Sequence, residues 1–170
     1  MSAFAASFVS GFAHPLHGAD HLVAMVAVGV WGALAGGRAI LVWPLAFVAT
    51  MLVGFASAAA GIAVPFVEPA ILSSIVVLGL LIAFAAEANL WLGAAVIGLF
   101  AFFHGHAHGT EAVAANLIAY AAGLMLATGA LHAAGIGLCR VAGGSMPRVA
   151  LRAAGAMAAF GGIAAMVALT

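Results

Sequence analysis

Two short stretches hold most of the reactive side chains in this sequence. HPLHGADH, His14 to His21, contains three histidines and an aspartate, and FFHGHAHGTE, Phe102 to Glu111, contains three more histidines and a glutamate. Imidazole and carboxylate together suit divalent nickel, cobalt, zinc or copper, and the lack of thiolates beside them argues against a soft-metal cage. Only neutral imidazole ligates a metal, so such a site should empty as the pH falls through roughly 6.

The surrounding chain is strongly apolar. Hydrophobic residues make up 68% of it and charged residues 5%, with a mean hydropathy of +1.33. A soluble domain of 170 residues would need charge over most of its outside. The composition therefore implies an integral membrane protein. The formal net charge is zero, and with no basic patch or aromatic ladder no nucleic-acid partner is expected. The single cysteine, Cys139, excludes an internal disulfide and a thiolate-rich metal centre, and it reads as a small core residue. With no P-loop pattern, ATP hydrolysis is not expected on this chain.

The clusters must be held by spans, each of which needs roughly 20 apolar residues. Breaks fall where Gly, Pro, Arg, Asn and acids gather. Spans are expected from Leu16 to Ala35, Ala39 to Ala60, Pro69 to Ala86, Leu90 to His108, Ala112 to His132 and Val149 to Leu169. The fold class is then an all-α integral membrane protein, a bundle of about six transmembrane helices, with one domain over residues 1–170. Arg38 follows the first span, and Arg140, Arg148 and Arg152 surround the start of the sixth. The positive-inside rule assigns that side to the cytoplasm. Both histidine clusters then lie at the outer face. The opening MSAFAASFVSGFA lacks the basic start of a secretory leader and is too short to span alone, so it should continue the first helix or lie at the interface.

On helices, His14, His17 and His21 are spaced three and four apart and predict one shared face flanked by Asp20, with Pro15 in the first turn. His104, His108 and Glu111 share a face by the same spacing, and His106 points roughly the other way. At ~1.5 Å per residue, the deepest histidines lie within about two turns of the surface. The expected metal ligands are His14, Asp20, His21, His104, His108 and Glu111, with His17 and the outer-side Glu68 as further candidates. Ionisable groups within spans are costly and by default functional, and packing is a poor reason for six of seven histidines at one face.

Plainer readings stand beside these. His17 and His106 also read as helix-end residues, and Glu68 as a solvated loop acid. His132 reads as an interfacial residue of the inner side, and Glu87 and Asn89 as a hydrated inner turn. Met25 fills a gap in the bundle or offers a thioether to the ion's path. Asn116, expected inside the fifth span, needs a hydrogen-bond partner or lines the route. Gly32 with Gly36, and Gly105 with Gly109, have the spacing of close helix contacts, and Gly18, Gly105 and Gly109 could also let backbone approach an ion.

The segments HPLHGADHLVAMVAVGVWGA and FFHGHAHGTEA resemble the two signature segments of the HupE/UreJ family of nickel and cobalt permeases, associated with hydrogenase and urease maturation. The first lies nearer the urease-accessory branch. The family's first motif, His, five residues, then Asp-His, is matched by His14, Asp20 and His21. Its second, His-Gly-x-Ala-His-Gly-x-Glu, is matched by His104, Gly105, Ala107, His108, Gly109 and Glu111. His17 and His106 are additional to that pattern, and the cleavable leader of many members is not expected here.

The resemblance implies uptake of Ni2+, with Co2+ as the second ion, as a secondary transporter rather than an enzyme. The ion is then substrate, no further cofactor is expected, and the partners are membrane lipid, a cytoplasmic nickel acceptor or a second copy of the chain. The hydrated ion would shed water onto the two clusters and pass to weaker groups, with Asn116, Met25 and His132 as candidates. The first cluster opens its helix and the second closes its own, so the two are not equivalents in an inverted repeat. Two rival chemistries use similar residues. A membrane-embedded metallohydrolase would hold zinc on His and Asp with an open water position, although no HExxH is present. A b-type cytochrome would use single axial histidines on facing helices rather than clustered ones with adjacent acids.

Overall fold

In the computed structural model the chain is all helical among the described residues, which are 1–145 and 148–168. The side chains of residues 142–148, Arg148 among them, and the expected span end at Leu169 lie outside the described residues. The helices are α1 (Ala3–Ala13), α2 (Ala19–Ala35), α3 (Ala39–Ala59), α4 (Val67–Ala83), α5 (Leu90–Glu111), α6 (Leu117–Ser145) and α7 (Arg148–Ala168), with a short 3-10 turn, His14–Leu16, between the first two.

Four of these, α3, α5, α6 and α7, are long and apolar enough to cross a membrane alone. The pair α1 and α2 passes together as one bent unit, and α4 is a shorter apolar helix. Their outward faces carry Leu45, Leu52, Leu99, Leu126, Met157 and Phe160, all exposed, while polar side chains are turned inward: His104, His108, His132, Ser74 and Thr128 are buried. That inversion is what a lipid solvent selects, because apolar side chains lose nothing by facing hydrocarbon and polar ones must find shelter. The protein is a membrane protein.

The first expected span is corrected at its start. The chain does not run as one helix through the first histidine cluster; α1 and α2 meet at 81°. Pro15 lacks an N–H and Gly18 is extended (φ −96°, ψ 113°), so the α-helical ladder stops after Ala13 and restarts at Ala19. The opening residues therefore form a helix of their own instead of prolonging α2. This helix crosses the first two turns of α6, with Gly11 against Tyr120 and Phe8 against Gly123, and Ser7 Oγ accepts the Asn116 N–H at 3.2 Å.

The fifth expected span is corrected at both ends. Ala112 turns extended (ψ 99°), and Asn116 caps α6 rather than lying inside it, its Oδ1 accepting the Ala119 N–H at 2.9 Å. At the far end the helix continues past His132 to Ser145, because Gly135 packs directly onto the α2 backbone at Val26 and Gly29 and is a contact surface rather than a break. His132 thus lies in the middle of α6, buried to 1% exposure, and not at the inner interface.

Small residues set the helix spacing. Gly105 and Gly109 of α5 lie on the α3 backbone at Met51 and Phe55, and Gly54 of α3 lies on Phe102 of α5. These contacts hold α3 and α5 side by side along their length. Gly36, by contrast, has nothing within 4 Å and a φ of 74°. It ends α2 in a conformation that other residues rarely adopt, and Gly37 at φ 52° completes the turn into α3.

The two ends of the bundle differ. At the arginine end, Trp31 and Trp43 are buried with ring centroids 4.2 Å apart, and their indoles donate to the Ala86 and Leu90 carbonyls at 3.0 and 2.9 Å. Asn89 is the N-cap of α5, accepting from Trp91 and Leu92, and Glu87 is exposed. A cavity of about 490 Å³ opens there, with Glu87, Cys139, Arg140 and Arg152 among its walls. At the opposite end lie the histidines.

Candidate metal site

The break before α2 turns the first histidine segment inward. His14 leaves α1 in the 3-10 turn, the extended Gly18 lets the chain bend, and His21 enters from the first turn of α2. The second segment needs no such device, since His104, His108 and Glu111 follow one stripe of an uninterrupted α5. The two stripes interlock. His14 and His108 have ring centroids 5.0 Å apart, His21 and His108 4.3 Å, and His21 and His104 4.9 Å.

A cavity of about 270 Å³ lies over them, walled by His14, His17, Gly18, Asp20, His21, Glu68, His108 and Glu111. Ligand atoms of His14, His108 and Glu111 come within 4.8 Å of one another, close enough for one ion to touch all three. His17 and Glu68 are exposed at its mouth. His104 is absent from the wall and forms a buried floor behind His21.

Hydrogen bonding fixes which nitrogens remain available. His21 Nδ1 donates to Asp20 Oδ1 at 2.9 Å, and the same oxygen accepts the His21 backbone N–H at 2.9 Å. Its Nε2 has no protein partner and carries the lone pair. A carboxylate behind an imidazole in this way sets the tautomer and raises basicity. Gly18 makes room for the pair: a Cβ there would meet Asp20 Oδ1 at 2.9 Å and His21 Nδ1 at 3.1 Å.

His104 is set by a residue that the sequence pattern did not reveal. Ser74 Oγ gives its hydrogen to the Ile71 carbonyl at 2.6 Å, so at 3.0 Å from His104 Nε2 it must accept. His104 Nδ1 is then the bare nitrogen, and it has no protein partner. Neither nitrogen of His108 has one. His14 Nε2 donates to Glu111 Oε2 at 2.9 Å. Tyr120, the chain's only tyrosine, has its ring 5.8 Å from His14 and an unpartnered hydroxyl. Its position beside the cluster had no signal in the sequence beyond its being single.

His106 faces away, as its spacing suggested. Its Nε2–H donates to the Ile62 carbonyl at 2.8 Å, tying α5 to the connection after α3. His17 and Glu68 touch the cavity alone, and Asn116, as a helix cap, lies off it.

Unpartnered imidazole nitrogens in a membrane bundle are costly unless something binds them. Here six such nitrogens, on His21, His104, His108 and His132, line the axis, and those nearest the cavity face two carboxylates. The donor set of nitrogen and oxygen suits nickel, cobalt, zinc or copper(II) and offers little to a hard, oxygen-seeking ion beyond Glu111, Asp20 and Glu68.

A family model described as HupE / UreJ protein matches residues 1–165. Protein HupE of Rhizobium leguminosarum bv. viciae is 42% identical over 160 residues, covering 94% of this chain and 84% of that protein. No solved structure matches the chain.

Proposed function

The chain belongs to the HupE/UreJ family, and from that premise we propose that it carries divalent nickel, with cobalt as second substrate, across the cytoplasmic membrane into the cell. The ion would supply a nickel enzyme of the urease or hydrogenase kind. The observation that carries this reading is the convergence of bare imidazole nitrogens on His21, His104 and His108 beneath a cavity rimmed by His14 and Glu111.

A hydrated ion enters between His14 and Glu111, whose mutual bond it replaces. Each lost water is exchanged for a ligand: Glu111 supplies charge, His108 supplies a nitrogen from the centre of the cluster, and His21 presents Nε2 because Asp20 holds Nδ1. Asp20 acts from behind, and its negative charge offsets the ion's without a direct bond. His104 waits one turn deeper on α5. The buried, closely packed Trp31 and Trp43 at the far end oppose an open channel, which favours a carrier that exposes the site to one side at a time.

Uptake of Ni2+ into sealed proteoliposomes by the purified protein is the direct test, with Co2+ and Zn2+ as competitors. Wild type should accumulate nickel, and His21→Ala and His108→Ala should not while remaining folded. Uptake should also weaken in acid, as protons compete for imidazole. Binding without passage would overturn the transport reading, and hydrolysis of a lipid or peptide that depends on His21 would favour a metallohydrolase.

A further inference from the structure

Among the described residues one buried histidine without any hydrogen-bond partner stands apart from the cluster. His132 is 1% exposed, and neither ring nitrogen has a hydrogen-bond partner. An imidazole with both nitrogens unsatisfied is a poor choice for filling an apolar bundle, where Leu or Phe would pack at no such cost. Its surroundings are not random. The Phe47 ring lies 5.7 Å from His104 and 5.0 Å from His132, so a single aromatic side chain separates His132 from the floor of the entrance site.

Other neutral donors gather at the same depth. Thr128, one turn before His132 on α6, donates its hydroxyl to Met51 Sδ at 3.7 Å. Met25 is fully buried and lies on α2 midway between His21 and Gly29, four residues from each. Gly29 in turn packs against the His132 backbone. Continuing along α6, Cys139 lies seven residues beyond His132 and therefore on the same face. Cys139 lines the cavity at the arginine end. His132 thus stands between the floor of the entrance site and the arginine-end cavity, on the helix that supplies Cys139 and Arg140 to the latter.

We propose that His132, with Thr128 and the thioethers of Met25 and Met51 around it, forms a second cation station that receives the dehydrated ion from His104 and passes it toward the arginine-end cavity. This rests on the transport reading above. The station differs from the entrance in having no carboxylate. It holds the ion more weakly than the entrance does, which lets the ion leave. Imidazole and thioether also disfavour Mg2+, Ca2+ and Mn2+, which prefer oxygen, so the station filters for borderline ions after the entrance has concentrated divalent cations in general.

The test uses the full-length protein in a Cys139→Ser background, in detergent for binding and in proteoliposomes for uptake. His132→Leu should bind Ni2+ at the entrance as the parent does and lose at least ten-fold in uptake. His132→Cys should restore part of that uptake and, with Co2+, should show a thiolate-to-cobalt charge-transfer band that the parent lacks. Nickel uptake by His132→Leu at the parent's rate, with no band in His132→Cys, overturns the station while leaving transport intact. A band in His132→Cys with no uptake by the parent supports the station and overturns transport. Absence of both overturns the two together.

Discussion

The two histidine segments build the same site by opposite means. His104, His108 and Glu111 use the regularity of α5, and their separation is what 3.6 residues per turn dictates. His14, Asp20 and His21 use a failure of regularity: the helix stops at Ala13, bends by 81° and restarts at Ala19. A continuous helix would have presented His14, His17 and His21 as one stripe. The break instead sends His14 to Glu111, His21 to His108 and His104, and leaves His17 exposed at the cavity mouth. A regular element displays ligands along a line, whereas a broken one can wrap them around an ion.

The contrast predicts where damage should be greatest. His108 is the side chain of the second segment whose ring lies near both His14 and His21. His108→Ala should weaken Ni2+ binding by at least about 100-fold, more than the ten- to hundred-fold typical of removing an outer-shell partner. Isothermal titration on the purified protein reads this directly, and a loss no larger than that of His17→Ala would mean that the halves do not share an ion.

Asp20 comes next. Because it binds Nδ1 of His21 and the His21 N–H, Asp20→Asn keeps the shape but allows the wrong tautomer. Affinity should fall by about 10- to 100-fold. Were Asp20 a direct ligand instead, the asparagine oxygen would retain part of the bond and the loss would be smaller than about 10-fold.

These positions also show what could be read in the chain. Six apolar segments, the two clusters and the outward turn of His106 follow from composition and period alone, because nothing interrupts α5. The bend at Pro15 and Gly18 was not legible. Proline at a helix start and proline in a 3-10 turn share the same residue pattern, and only packing of α1 across α6 decides between them. Ser74 was hidden for a related reason: a hydroxyl in a span usually bonds its own helix, as Ser74 does to Ile71, and its second bond to His104 depends on tertiary approach. The continuation of α6 through Gly135 likewise depends on α2 lying against it.

Two glycines separate the mechanisms at the level of single methyl groups. Gly18→Ala has an ordinary φ of −96° but crowds Asp20 Oδ1 and His21 Nδ1. It should lower affinity by about 10-fold, the low end of the outer-shell range, with little change in melting temperature. Gly105→Ala drives a methyl group into the Met51 backbone. It should separate α3 from α5 and cost about 1–3 kcal/mol of stability. Thermal melts beside nickel titrations distinguish them, and a fold lost in Gly18→Ala would show that the break is needed for folding as well as for binding.

The smallest effect belongs to His106, which sits within the second segment yet faces out of the site. His106→Ala removes the N–H donated to the Ile62 carbonyl. Ile62 is 57% exposed, so water can reach its neighbourhood and replace the bond, and the loss should be about 0.5–1.5 kcal/mol. Nickel affinity should be unchanged, because the ring lies on the opposite face of α5 from His104 and His108. Uptake that fell in proportion to affinity would mean that His106 enters the site in another state of the carrier; uptake that fell with affinity intact would point to the α3–α4 connection moving during transport.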